Sequence, residues 1–188
     1  LQTRLAEDPS FLKSGREAGL ILELAQSLGD YLLKMQIGKS GDLRYGLITG
    51  GKNSYTLRLE KNAVSEIFSE TSIDWISSEH NIDAYFFMRD LGALTGGGKY
   101  SRSAELIKKS MMRVWNVNAK QYSRGIKPRF VDDALALDCA SWGAVFSLSA
   151  GMAQYAAASL EAADALYLSS AVTPKIDPDM TLASRSNT

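Results

Sequence analysis

The chain has one cysteine, one histidine and four prolines among its 188 residues. A single cysteine, Cys139, closes no internal disulfide, and a chain of this length can bury enough apolar surface without one. A single histidine, His80, excludes a three-His zinc site, and with Glu79 and Asp83 it makes a poor metal cluster, so neither metal nor cofactor is expected. An excess of charge is missing too: 21 Lys and Arg against 21 Asp and Glu give a formal net charge of zero. With no global field to hold a polyanion, nucleic acid and anionic membrane fall away as expected partners. Glu23, Asp30, Glu161 and Asp164 interrupt the most apolar stretches, short of the ~18 uninterrupted apolar residues that a membrane span needs. No usable Asn-x-Ser/Thr glycosylation site occurs. The start at Leu1, without a basic stretch followed by an apolar run, reads as a leader that was removed or never present. That leaves the compartment open, with a periplasmic or extracellular setting slightly favoured over a cytoplasmic one.

What is there is an ordinary globular composition, 45% hydrophobic and 22% charged, with 15 glycines. It predicts one domain over residues 1–170 and a polar tail or linker over 171–188, marked by Pro174 and Pro178. Ala18, Ile21, Leu22, Leu24, Ala25, Leu28, Leu32 and Met35 recur at helical spacing and predict an amphipathic helix from about Ser14 to Ile37. A turn at Lys39-Ser40-Gly41-Asp42 leads into an extended piece, Leu43 to Ile48, and a Gly-rich loop. Tyr55 to Trp75 is hard to read, with a short helix expected around Ala63–Phe68. Ser77-Ser78-Glu79-His80 opens a second helix whose apolar residues surround the whole cylinder, the pattern of a buried one. Tyr100 to Trp115 reads as an outer, one-sided helix, and Gln121 to Ile126 as a second short extended piece. Asp138 to Ala150 reads as a further buried helix, rich in small residues, and an Ala-rich helix follows Gly151 to about Ser169. The alternation repeats at about 79 residues, from Gly46 to Gly125, with loops of differing length, and Tyr85 and Trp142 read as matching places on the two buried helices. It predicts an all-α fold of alternating inner and outer helical hairpins, with short β-like hairpin loops.

At Ser77-Ser78-Glu79-His80-Asn81-Ile82-Asp83-Ala84-Tyr85, and again at Leu137-Asp138-Cys139-Ala140-Ser141-Trp142-Gly143-Ala144, the chain resembles bacterial proteins of the (α/α)6 toroid class. These are carbohydrate-active helical barrels, similar in shape to many glycoside hydrolases and polysaccharide lyases. The resemblance covers about Arg16 to Ser170. It implies a carbohydrate ligand and a cleft at one end of the ring, with Glu79, His80, Asn81 and Asp138 round one funnel. Six hairpins close such a ring and this chain supplies roughly half, so a second chain or a further segment is implied to complete it.

Glycoside hydrolysis commonly needs two carboxyl groups, about 5–9.5 Å apart depending on stereochemistry. Glu79, Asp83, Asp138, Asp132, Asp133 and Asp74 are the candidates, and Glu79 with Asp138 is the favoured pair because each begins a buried helix. Acidic residues are equally at home in a helix's first turn for capping and dipole reasons. Asp83, inside an apolar helix, needs a partner, for which Arg124 or Arg89 is available. His80 and Asn81 read as polar groups lining the cleft, or as satisfied structural residues. Trp75, Trp142, Tyr85 and Tyr45 offer stacking faces for sugar rings, or core packing. Thr95-Gly96-Gly97-Gly98-Lys99 fails as a phosphate loop, since Tyr100 stands where Ser or Thr is required and the run follows a helix. Cys139 as a nucleophile would have only His80 for a base, and a buried filler is the simpler reading. The expectation is therefore a glycoside hydrolase acting on a bacterial poly- or oligosaccharide, the alternative a noncatalytic helical-repeat module that binds a glycan or partner protein through its concave face.

Overall fold

The computed structural model of the chain describes residues 16–60 and 63–167. Helix α1, Arg16–Met35, buries Ala18 and lays Leu22, Ala25, Leu32 and Leu33 against the core. A Cβ at Gly29 would run into Leu91 and Tyr100, so this residue lets α1 sit close to its neighbours. The sequence assigns Leu24 and Leu28 to the packed face, but both are exposed, with Leu20 and Tyr31 beside them at helical spacing. After α1 the chain turns back on itself: the Ile37 N–H donates to the Leu47 carbonyl and the Gly46 N–H to the Ile37 carbonyl. Gly46 adopts φ +82°, a left-handed conformation, beside Leu106 and Ser110. The extended piece expected over Leu43–Ile48 is thus mostly turn, with a single bridge between Gln36 and Ile48.

Strands β1, Gly51–Glu60, and β2, Ala63–Ile73, form a long antiparallel hairpin in which Tyr55 faces Phe68 and Leu59 faces Val64. Strand β3, Ile76–Ser77, leads into α2, Ser78–Leu94, whose first turn is capped by the Ser77 hydroxyl accepting from the His80 N–H at 3.3 Å. Gly96, Gly97 and Gly98, all at positive φ, join α2 to α3, Lys99–Met111, so this glycine run is a helix-to-helix connection. A single 3₁₀ turn, Met112–Val114, follows. Strands β4, Trp115–Asn116, and β5, Gln121–Tyr122, then make a tight hairpin, and β6, Gly125–Lys127, pairs with both β3 and β7, Phe130–Asp132. Helices α4, Leu137–Ser149, and α5, Ala153–Tyr167, complete the described chain.

The all-α expectation is corrected by these strands: the fold is mixed, five helices with three small antiparallel sheets over the described residues, and not an all-α toroid. The physical reason lies in residues 51–73. Ala63, Val64, Ile67 and Phe68 have helical spacing, but they are mostly β-branched or aromatic, and register with a partner strand fixes them extended. The order helix, turn, β-excursion, helix does occur twice, through α1 to α2 and through α3 to α4, but the second of these helices is not the buried one expected: α4 leaves Leu137, Trp142, Val145 and Leu148 exposed along one face. Helix α2 packs on α1, α3 and α4, and α4 on α5, around Ile82, Met88, Ile107, Met111, Tyr122 and Phe146. Tyr122 is fully buried, shares a 2.7 Å hydrogen bond with Ser147, and has its phenol pushed up to about 12 by burial. The expected boundary at residues 170 and 171 lies outside the described residues.

Candidate functional site

The helices α2 and α4 begin side by side because the strands before them are tied together. Ser77 pairs with Gly125, the Ser78 N–H donates to the Arg124 carbonyl at 2.9 Å, and the Ser78 hydroxyl donates to the Ser123 carbonyl at 2.6 Å. A Cβ at Gly125 would collide with the Ile76 carbonyl oxygen, so only glycine permits this approach. The result is a pocket of about 490 Å³ at the two helix starts, floored by Ile76, Ile126 and Cys139 and walled by Trp75, His80, Arg124 and Lys127. Glu79 and Asp138, each in the first turn of its helix, also line it.

Their carboxyl groups lie within hydrogen-bonding reach of one another. That contact raises the Glu79 pKa above the usual glutamate value, and burial and the neighbouring Asp138 charge push the same way. Glu79 therefore holds its proton to higher pH than an ordinary glutamate does. The Asp138 carboxylate also accepts from the Cys139 N–H at 2.8 Å, which fixes its position at the helix start. Cys139 itself is buried, and burial first, then the Asp138 charge, pushes its thiol up to about 12, so it stays protonated and inert as a nucleophile near neutral pH.

The pocket gathers Trp75, Glu79, His80, Arg124 and Asp138 from the residues singled out in the sequence. The Trp75 and His80 rings are 6.1 Å apart at the rim, and the Trp75 backbone is held from below, where the Arg44 guanidinium donates to the Asp74 carbonyl at 2.6 Å. Arg44 is in turn gripped by both oxygens of Asp42, at 2.9 and 2.8 Å, which holds the Asp42 pKa down to about 2. Arg124 does not reach Asp83. It donates twice to Asp132, at 3.2 and 2.7 Å, and Arg89 pairs with Asp90. Asp83 instead accepts from the Trp142 indole N–H at 2.8 Å.

Two expected ligand contacts are corrected. Asn81 is fully buried and its amide is consumed internally: its oxygen accepts from the Ile48 N–H at 2.8 Å, and its nitrogen donates to the Ile48 and Ser77 carbonyls at 2.9 Å. Tyr85 is 3% exposed and packs edge-on against Phe146. Ser78, Asn81, Ile82, Tyr85 and Met88 share one face of α2, and this spacing is a signal that separates them from the outward Glu79 and Asp83. Lys127, on the pocket wall, was not singled out from the sequence; as the third residue of β6 it has no motif, and its ammonium sits 5.6 Å over the Phe130 ring.

No group of three His, Cys, Asp or Glu side chains could hold a metal ion among the described residues, and no described helix is long and apolar enough to cross a membrane. No protein-family model, curated protein or solved structure matches the chain.

Proposed function

We propose that the protein hydrolyses glycosidic bonds in a poly- or oligosaccharide, with Glu79 as the proton donor and Asp138 as the carboxylate that keeps it protonated. The observation that carries this reading is the carboxyl pair itself: two acidic groups from separate helices, in contact at the edge of a pocket that also offers an aromatic rim. A glutamate with a raised pKa keeps its proton to higher pH and can serve as a general acid. Glu79 gives its proton to the leaving oxygen, the anomeric carbon–oxygen bond breaks, water adds at that carbon, and the proton of that water restores the pair. Trp75 supplies a face for the C–H side of a pyranose, and His80 and Arg124 present donors to its hydroxyls.

One feature favours a second reading, a binding module that engages a glycan without cleaving it. The carboxyls lie within hydrogen-bonding reach of one another, whereas glycosidases that divide acid and base or nucleophile between two carboxylates hold them about 5–9.5 Å apart. The test is reducing-sugar release from a panel of polysaccharides and aryl glycosides by the native protein and by Glu79→Gln, alongside binding measured by calorimetry. Turnover that vanishes in Glu79→Gln while affinity persists supports the hydrolase. Binding without turnover in the native protein supports the module, and neither binding nor turnover contradicts both.

A further inference from the structure

The carboxyl pair sits at one end of a line of contacts between α2 and α4. Glu79 meets Asp138, the Asp83 carboxylate takes the Trp142 indole N–H, and the Arg89 guanidinium donates to the Ser149 hydroxyl. The three contacts ascend both helices in the same order, so α2 and α4 run parallel along this seam. On α2 the residues fall at 79, 83, 86 and 89, one helical stripe, and ten residues at 1.5 Å per residue give a track about 15 Å long. The seam is open to solvent: Glu79, Asp83, Trp142 and Ser149 are all exposed, and Trp142 is 38% exposed although it is the largest apolar group there.

An exposed indole is usually free to reorient, but this one is fixed. Asp83 holds its N–H, and the Phe86 ring lies 5.6 Å away at 54° with the Arg89 guanidinium 5.0 Å from it on the same helix. An aromatic plane held beside a carboxylate whose second oxygen accepts no hydrogen bond among the described residues is the chemistry that grips a pyranose, the ring face on its C–H groups and the oxygen on a hydroxyl. Glu79, Asp83 and Asp138 also crowd acidic groups along this stretch, while Arg89 and Arg124 are engaged by Asp90 and Asp132. That balance disfavours a ligand bearing carboxylates.

We propose that the α2–α4 seam is a glycan track continuous with the pocket, in which Trp142 and Asp83 hold a second sugar unit of an uncharged or amino-bearing pyranoside chain. This deepens, and rests on, the carbohydrate reading of the pocket. The site is then built for a chain of several units and not for a single sugar.

The experiment is a titration of the full ¹⁵N-labelled chain, following its three tryptophan indole N–H signals, with glucose, glucosamine, and hexamers of β-1,4-glucose, β-1,4-glucosamine and galacturonic acid. Expected is that at least one of the two uncharged or amino-bearing hexamers moves both the Trp75 and Trp142 signals and binds about tenfold or more tightly than its monomer. Trp142→Ala should then abolish that chain-length advantage. A hexamer that moves Trp75 alone, or binds no better than its monomer, overturns the track and leaves the pocket reading standing. A response at Trp142 to the galacturonate hexamer only overturns the proposed ligand class. No response at either tryptophan to any of these sugars counts against the track and the carbohydrate reading together. Because chain-length dependence is read in the unaltered protein, the outcome does not hang on the fold of a variant.

Discussion

Asn81→Ala separates a structural amide from a ligand-binding one. In the native fold this side chain makes three hydrogen bonds, one from the Ile48 N–H and two to the Ile48 and Ser77 carbonyls, all away from solvent. They pin the turn after α1 to the first turns of α2. Truncation to alanine leaves the Ile48 N–H without its acceptor, a cost of about 1–3 kcal/mol, and the two carbonyls lose a donor each while keeping a second lone pair. A cavity adds to this, giving a loss of about 3–5 kcal/mol against a domain stability of about 5–15 kcal/mol. At 2–4 °C per kcal/mol for a chain of this size, the melting midpoint should fall by roughly 6–20 °C. Asn81→Asp should recover little, because a carboxylate accepts from Ile48 but cannot donate to the two carbonyls. Urea unfolding gives the free energy, and the glycan titration below the new midpoint gives affinity. A stability loss under about 1 kcal/mol, or an unchanged stability with abolished glycan binding, refutes the structural assignment.

Glu79→Gln should lower turnover by at least about 10²-fold with little change in stability, measured by reducing-sugar release and thermal melts. Because the protonated form of Glu79 is the active one and its pKa is raised, activity should fall as pH rises through that pKa; Asp138→Asn, which removes the cause, should move this limb to lower pH. Asp42, whose pKa is held down to about 2 by Arg44, contributes stability that is present above the ordinary aspartate pKa and lost as pH falls from about 4 toward 2. Acid unfolding of Asp42→Asn should therefore lack that component. Gly125→Ala, which drives a methyl into the Ile76 carbonyl, should destabilise by more than about 2 kcal/mol and disturb the pocket signals of Trp75 and His80, seen by chemical denaturation and NMR.

The helices were legible where local chemistry agrees with packing. Ser77 as a cap, Glu79 in the first turn and the dense apolar content of the stretch after it place α2 almost to the residue, and Leu137–Ser149 follows from its small-residue run. The hairpin over 51–73 was not legible, because its extended state is decided by pairing between residues far apart and its apolar spacing imitates a helix turn. The same limit governs the site. That Glu79 and Asp138 each fall in the first turn of a helix is written in the sequence; that they come together, and that Asp83 takes Trp142 instead of an arginine, depends on the lateral order of α2 and α4, which periodicity does not encode. Asn81 and Tyr85 look like cleft residues by type, and only the face they share with Ile82 and Met88 assigns them to the interior.

The carboxyl ¹³C chemical shift of Glu79, followed from pH 2 to 9, reads the influence of Asp138 on it directly. The native protein should titrate Glu79 above its ordinary value of 4.5, and Asp138→Asn should bring that midpoint down. An ordinary midpoint in the native protein, unmoved by Asp138→Asn, would contradict the account.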